Sequence, residues 1–213
     1  MLFSVGLVFT SSHAETLRVA AGGVPPSLGN PYTATALPAT ELWLAMFDGL
    51  TRLDWRGGPL PGLAVSWDNP TALTWRFTLR DNMTFHNGRA VTAESIAKVF
   101  SFLLSEDAAS FLVARELTNI ADVVAADPLT VQFNLRAPDA ILPKRLSLVM
   151  IIDLDSWKER GVDKFTIAPV GSGPYRLVDW GPGNTAVRLA AFTESWRPPV
   201  GYAELEYRVV GNK

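Results

Sequence analysis

The residues able to do chemistry are few, and their spacing does not suit catalysis. There are two histidines, His13 and His86. His86 sits beside Asn87-Gly88, a tight-turn pair, since both residues tolerate positive φ. Neither a nucleophile nor a carboxylate pair accompanies it, so His86 is read as a hydrogen-bonded structural histidine rather than a general base. One histidine without converging Asp or Glu makes no metal site. The chain has no cysteine, which removes thiol nucleophiles, thiolate zinc sites, disulfides and a cysteine-borne lipid anchor. Val170-Gly171-Ser172-Gly173-Pro174 places a hydroxyl between two glycines, but the spacing is wrong for a nucleophile elbow. No Gly-Lys-Ser/Thr follows to make it a phosphate loop. What the segment does offer is close backbone approach, because two residues lack a Cβ, with Pro169 and Pro174 stiffening its ends. No catalytic residue, metal or cofactor is therefore assigned, and binding becomes the chemistry to look for.

The composition agrees. A chain of 213 residues with 48% apolar and 10% aromatic content can bury a real core, as one large domain or two small ones. A net charge of −2, without long runs of either sign, argues against a nucleic-acid partner. No apolar run is long enough to span a membrane. Residues 1–14, MLFSVGLVFTSSHA, read as an export signal ending in a small residue, although a positively charged start is missing. The competing reading is a buried N-terminal strand. Export is expected, with the mature chain starting at Glu15.

The elements that would position a site follow from periodicity. Leu17, Val19 and Ala21 alternate with polar or small neighbours, giving a first strand. Residues 22–38 are rich in Gly and Pro and read as a long loop, a kind of segment that is often functional. Thr40 is expected to cap a buried helix running to Leu50, with Trp43 in the core. Trp75, Phe77 and Leu79 alternate as a half-buried strand, and Ile96, Val99, Phe100 and Leu103 fall at helical spacing behind a Thr92 cap. Further helices are expected over 106–117, from Asp139 to Leu148, and over 155–160 before Gly161. Further strands are expected at 131–135, 175–180, 187–191 and 204–209.

Read as text, the same stretches are more specific. Thr74, Trp75, Phe77, Leu79, Arg80, Phe85, Gly88, Thr92, Ala93 and Glu94 fit one signature, and Phe47-Asp48-Gly49-Leu50, Leu63 to Trp67 and Pro169 to Tyr175 fit three more. Together they resemble the dipeptide/oligopeptide/nickel-binding family of extracytoplasmic solute-binding proteins that serve ABC importers. Asn87 and Ser95 stand where that family usually has aspartate, and Ser172 stands where it usually has threonine.

The resemblance implies a mixed α+β fold, the first lobe of a type II periplasmic binding protein, with the second lobe missing. Residues 15–41 and 166–213 would form that discontinuous lobe, with 42–165 as an inserted, sheet-rich subdomain. Members of the family are much longer and clamp ligand between two lobes. The implied binding residues are Gly23, Val24, Ser27 and Leu28 in the first loop, then Thr40, Phe111, Met150 and Ser172. Ordinary core packing competes for Phe111 and Met150. The implied function is capture of a peptide or related small solute in the periplasm, by a soluble monomer that partners an inner-membrane permease. Two alternatives stay open: a secreted hydrolase with an unrecognised site, and a scaffold or sensor module derived from the same lobe.

Overall fold

The computed structural model describes residues 15–33, 37–199 and 201–210, with only the backbone for 37–39. The expected export signal, residues 1–14, lies outside the described residues, as do 34–36 of the long loop. In chain order the regular elements are β1 (Thr16–Ala21), α1 (Leu37–Met46), β2 (Thr51–Leu53), β3 (Pro59–Pro61), β4 (Ala64–Thr71), β5 (Thr74–Leu79) and α2 (Ala93–Leu103). Then come α3 (Leu112–Arg115), β6 (Ile120–Asp127), β7 (Thr130–Leu135), α4 (Leu142–Arg145), α5 (Leu154–Arg160), α6 (Val162–Ile167), β8 (Tyr175–Asp179), β9 (Ala186–Ala191) and β10 (Glu204–Val209).

Two four-stranded sheets organise the molecule. One runs β1-β10-β9-β8, with β1 parallel to β10 and the other neighbours antiparallel. The other runs β4-β5-β7-β6 and is antiparallel throughout. The alternation in β5 buries Trp75, Phe77 and Leu79 on one face, as a period of two requires. Phe77 meets Phe133 edge-on at 5.3 Å, and Phe133 meets Phe100 of α2 at 4.8 Å, so the helix is fastened to the sheet through aromatic rings.

Helix α2 begins as its sequence dictates. Thr92 Oγ1 accepts from the Ser95 amide at 3.1 Å, and Ser95 Oγ accepts from the Thr92 amide at 2.9 Å, a reciprocal capping box. Ser95 thus does the work of the acidic residue it replaces. Thr92→Ala is expected to lower stability by about 1 kcal/mol, read as a fall in the urea midpoint at unchanged slope.

Several expectations need correcting. Helix α1 starts at Leu37 and ends at Met46 rather than at Leu50, so Thr40 lies inside the helix and is not its cap, and Leu37 and Pro38 belong to the helix and not to the loop. Pro38 is tolerated there because the first turn has no partner for its missing N–H. The helix expected over 106–117 is a 3-10 turn at Glu106–Ala108 and then α3, broken at Phe111, whose backbone is extended while its ring packs on Tyr32 and Trp157. Asp139 accepts from the Ile141 amide, and the helical stretch behind it is split into α4 and a 3-10 turn. Strand β6 and helix α6 were not legible, and Gly161, at φ 78°, ends α5 and opens α6.

Candidate functional site

The polar centre of the molecule is Asp48, at the end of the segment that follows α1. It is 1% exposed. Its carbonyl accepts from the Ile151 amide at 2.8 Å, which holds residues 150–152 against it. Four side-chain hydrogen bonds converge on its carboxylate. Ser172 Oγ donates at 3.2 Å and Trp196 Nε1 at 3.0 Å, both to Oδ2. Arg197 donates to Oδ1 through Nε at 3.1 Å and through Nη2 at 2.8 Å. Burial pushes the Asp48 carboxyl up, while Arg197, Trp196 and Ser172 hold it down. Each of those donors favours the charged form. Trp196 in turn lies beneath Arg80, whose guanidinium carbon is 4.2 Å from the ring centroid, and near Arg52 at 5.5 Å.

Above this node opens a cavity of about 340 Å³, walled by Thr40, Leu44, Asp48, Arg52, Met150 and Arg197, with Leu148 at its rim. A second hollow of about 400 Å³, lined by Tyr32, Leu112, Leu117, Arg145 and Val149, shares Leu148 with it. Leu148 is 64% exposed and stands between the two hollows. Tyr32 forms the wall beside them. Its hydroxyl donates to the Met150 carbonyl at 2.9 Å, and burial raises the phenol above its ordinary range, so it remains a donor.

The structure brings some of the expected binding residues together and separates others. Thr40 and Met150 line the same cavity. Phe111 does not line it: its ring packs 6.0 Å from that of Tyr32, which walls the second hollow, and it lines a larger open hollow between α2 and α5. Ser172 is fully buried behind Asp48 and supports the cavity without facing it. Gly23, Val24, Ser27 and Leu28 line none of these hollows. Ser27 Oγ donates to the Asn30 carbonyl, and Leu28, at φ 46°, gives its carbonyl to Trp43 Nε1 at 2.8 Å. No hydrogen bond among the described residues engages the backbone of Gly23 or Val24.

The sequence reading missed Asp48, Arg52, Trp196 and Arg197 as a group. Asp48 and Arg197 are 149 residues apart, and no local pattern joins them. The one signal was an acidic residue inside an apolar helix-to-strand segment, since a charge there must find a partner.

His86 is a staple. Its Nδ1 accepts from the Gly171 amide at 3.3 Å, so the proton sits on Nε2, which donates to the Gly173 carbonyl at 3.0 Å. Both ring nitrogens are thereby spent on the segment around Ser172, while the Ser172 hydroxyl faces Asp48. The pair is not a base with its nucleophile. Burial pushes the imidazole down to about 4, the Gly173 carbonyl opposes this, and Arg176 lowers it further. An unfolded chain takes up this proton near pH 6.5, whereas the folded one resists it until about pH 4. Stability is therefore full above pH 6.5 and declines as pH falls toward 4, by up to about 3 kcal/mol. Urea midpoints measured between those limits should fall in the wild type and fall less in His86→Gln.

Among the described residues no grouping of His, Cys, Asp and Glu could hold a metal, and no helix is long and apolar enough to cross a membrane. One mixed and one antiparallel sheet, with open hollows beside the helices packed on them, give a solute-binding fold. Solved structures agree. The chain superposes on MoaA from A. tumefaciens R10, in complex with mannopinic acid, with a TM-score of 0.81 at 26% identity, over 94% of this chain and 42% of that one. It superposes on AgaA of the same source, in complex with agropinic acid, with a TM-score of 0.77 at 25% identity, over 92% and 40%. AppA from Bacillus subtilis, bound to a nonapeptide, shares the fold with a TM-score of 0.81 at 20% identity, over 92% and 41%.

The family model described as bacterial extracellular solute-binding proteins, family 5 Middle, matches residues 58–213, and the chain belongs to that family. Its members are binding proteins rather than enzymes. Among curated relatives, the HTH-type transcriptional regulator SgrR of Yersinia pestis is 32% identical over 149 residues, which is 70% of this chain and 25% of that protein. The SgrR of Pectobacterium atrosepticum is 32% identical over 155 residues, 71% and 26% of the two chains. The chain thus spans about a quarter of the length of those relatives.

Proposed function

We propose that this chain is one jaw of a solute-binding protein that captures peptides or a related small solute in the periplasm and hands it to an ABC permease. The observation that carries this is the open cavity walled by Thr40, Leu44 and Met150 on a family 5 scaffold. Residues 15–41 and 166–213 form the lobe, and 42–165 the inserted subdomain. The binding residues are Thr40 and Met150 in the cavity and Phe111 in the neighbouring hollow, with Ser172 in support, and the open backbone of Gly23 and Val24 adds hydrogen-bonding groups that ignore side chains. Ser27 and Leu28 shape that loop. The chain performs no reaction of its own.

A complete clamp holding its solute at about 1 μM has roughly −8 kcal/mol to share, and half of that corresponds to about 1 mM. Calorimetric titration of the chain with mannopinic acid and with a mixed tripeptide pool should therefore give dissociation constants of about 1 mM or weaker. Micromolar binding would contradict the one-jaw reading.

The match to SgrR favours a second reading, in which the same cavity senses a solute for a regulator. The surrounding DNA separates the two. Adjacent permease and ATPase genes support import, and a DNA-binding segment in the same reading frame supports sensing.

A further inference from the structure

Beside the cavity the cluster around Trp196 holds three guanidiniums, those of Arg52, Arg80 and Arg197, and one carboxylate, that of Asp48. Arg197 pairs with Asp48 through two hydrogen bonds to Oδ1, and its Nη2 also donates to the Leu44 carbonyl. Arg52 and Arg80 have no acidic partner among the described residues. Each is instead pinned through Nε to a neighbouring carbonyl, Arg52 to Pro61 at 3.0 Å and Arg80 to Gly62 at 2.8 Å. Those bonds fix both side chains while leaving their terminal nitrogens without a hydrogen bond among the described residues. Burial and the Arg197 charge hold Arg52 below its ordinary range, with Asp48 opposing and Arg80 adding to the shift. An unpaired, immobilised guanidinium in a cavity wall lacks only an anion.

We infer that Arg52, backed by Arg80 across Trp196, receives a carboxylate of the bound solute at the polar end of the cavity. Planar N–H pairs match a carboxylate, and fixing them beforehand reduces the entropy lost on binding. The biological occupant rests on the solute-binding reading; the anion site itself does not. Its chemistry selects acidic solutes, or the C-terminus of a peptide, over neutral ones.

The test uses the ¹⁵N-labelled chain, with sodium succinate as the probe and neutral succinamide as its control, at constant ionic strength. The Trp196 indole N–H and the Arg52 Nε–H signals should move saturably with succinate and stay still with succinamide. Arg52→Met should weaken the response at least about tenfold, Arg52→Lys should retain part of it, and Arg56→Met, on the exposed Trp55, should leave it unchanged. A retained amide spectrum shows that each variant is folded. Equal shifts with succinamide, an Arg52→Met response like the wild type, or no saturable shift at about 100 mM overturns the site. Tripeptides that move Met150 regardless of Arg52 leave the solute reading intact and sink this one. Succinate binding in a chain whose Thr40 and Met150 answer to no solute does the reverse.

Discussion

Asp48→Ala should cost about 3–5 kcal/mol, a large share of the roughly 5–15 kcal/mol that a domain of this kind has to lose. The substitution removes the acceptor for four hydrogen bonds and strands Arg197, whose side chain is 26% exposed. It also leaves three guanidiniums around Trp196 with no counter-charge in the cluster. Asp48→Asn should cost less, because it keeps the shape and one acceptor while losing the charge. Arg197→Met placed on Asp48→Ala should cost less than it does alone, with a coupling of about 1–3 kcal/mol, since the two act as one unit. Urea unfolding of the wild type and these four variants measures all of this, and a loss under about 1 kcal/mol for Asp48→Ala would remove the node from the account.

Gly171→Ala should be as severe, by about 3 kcal/mol or more, or should prevent folding. A Cβ there would land on the Met46 carbonyl oxygen and the Phe47 ring. Gly173 is in the same position, with the Ala45 carbonyl oxygen 2.6 Å from where its Cβ would lie. Neither neighbour can move cheaply. Met46 ends α1, and its carbonyl accepts from the Gly173 amide at 2.9 Å, while Phe47 is fully buried. The two glycines let the Ser172 segment slide under the end of α1, which delivers the serine hydroxyl to Asp48. Gly23→Ala is the control, because a Cβ there meets nothing within 4 Å, and it should change stability by less than about 1 kcal/mol. A mild Gly171→Ala would mean that the segment has room that its backbone contacts deny.

Much of this was legible in residue order, and the reasons are local. The alternation of Trp75, Phe77 and Leu79 fixed a strand face, and Thr92 with Ser95 marked a helix start, because both signals act over a few residues. The two glycines around Ser172 announced close approach, although not what approaches. The helix break at Phe111 was hidden, since it goes with packing on Tyr32 rather than with propensity. Thr40 was misread as a cap because Pro38 lets α1 begin three residues earlier. Of the site, Thr40 and Met150 fell in the cavity wall, whereas the charges that make one end of it polar come from segments far apart in sequence. Pairings at such range leave no periodic trace.

On the proposed function, a solute lands in the cavity beside Leu148. Amide shift mapping of the ¹⁵N-labelled chain, titrated with mannopinic acid and with tripeptides into the high millimolar range, tests that most directly. The account predicts weak, fast-exchanging shifts concentrated on Thr40, Leu44, Leu148 and Met150, with the exposed turn at Trp55 and Arg56 unmoved. Shifts confined to that turn or spread evenly over the surface, or none at all, would contradict it.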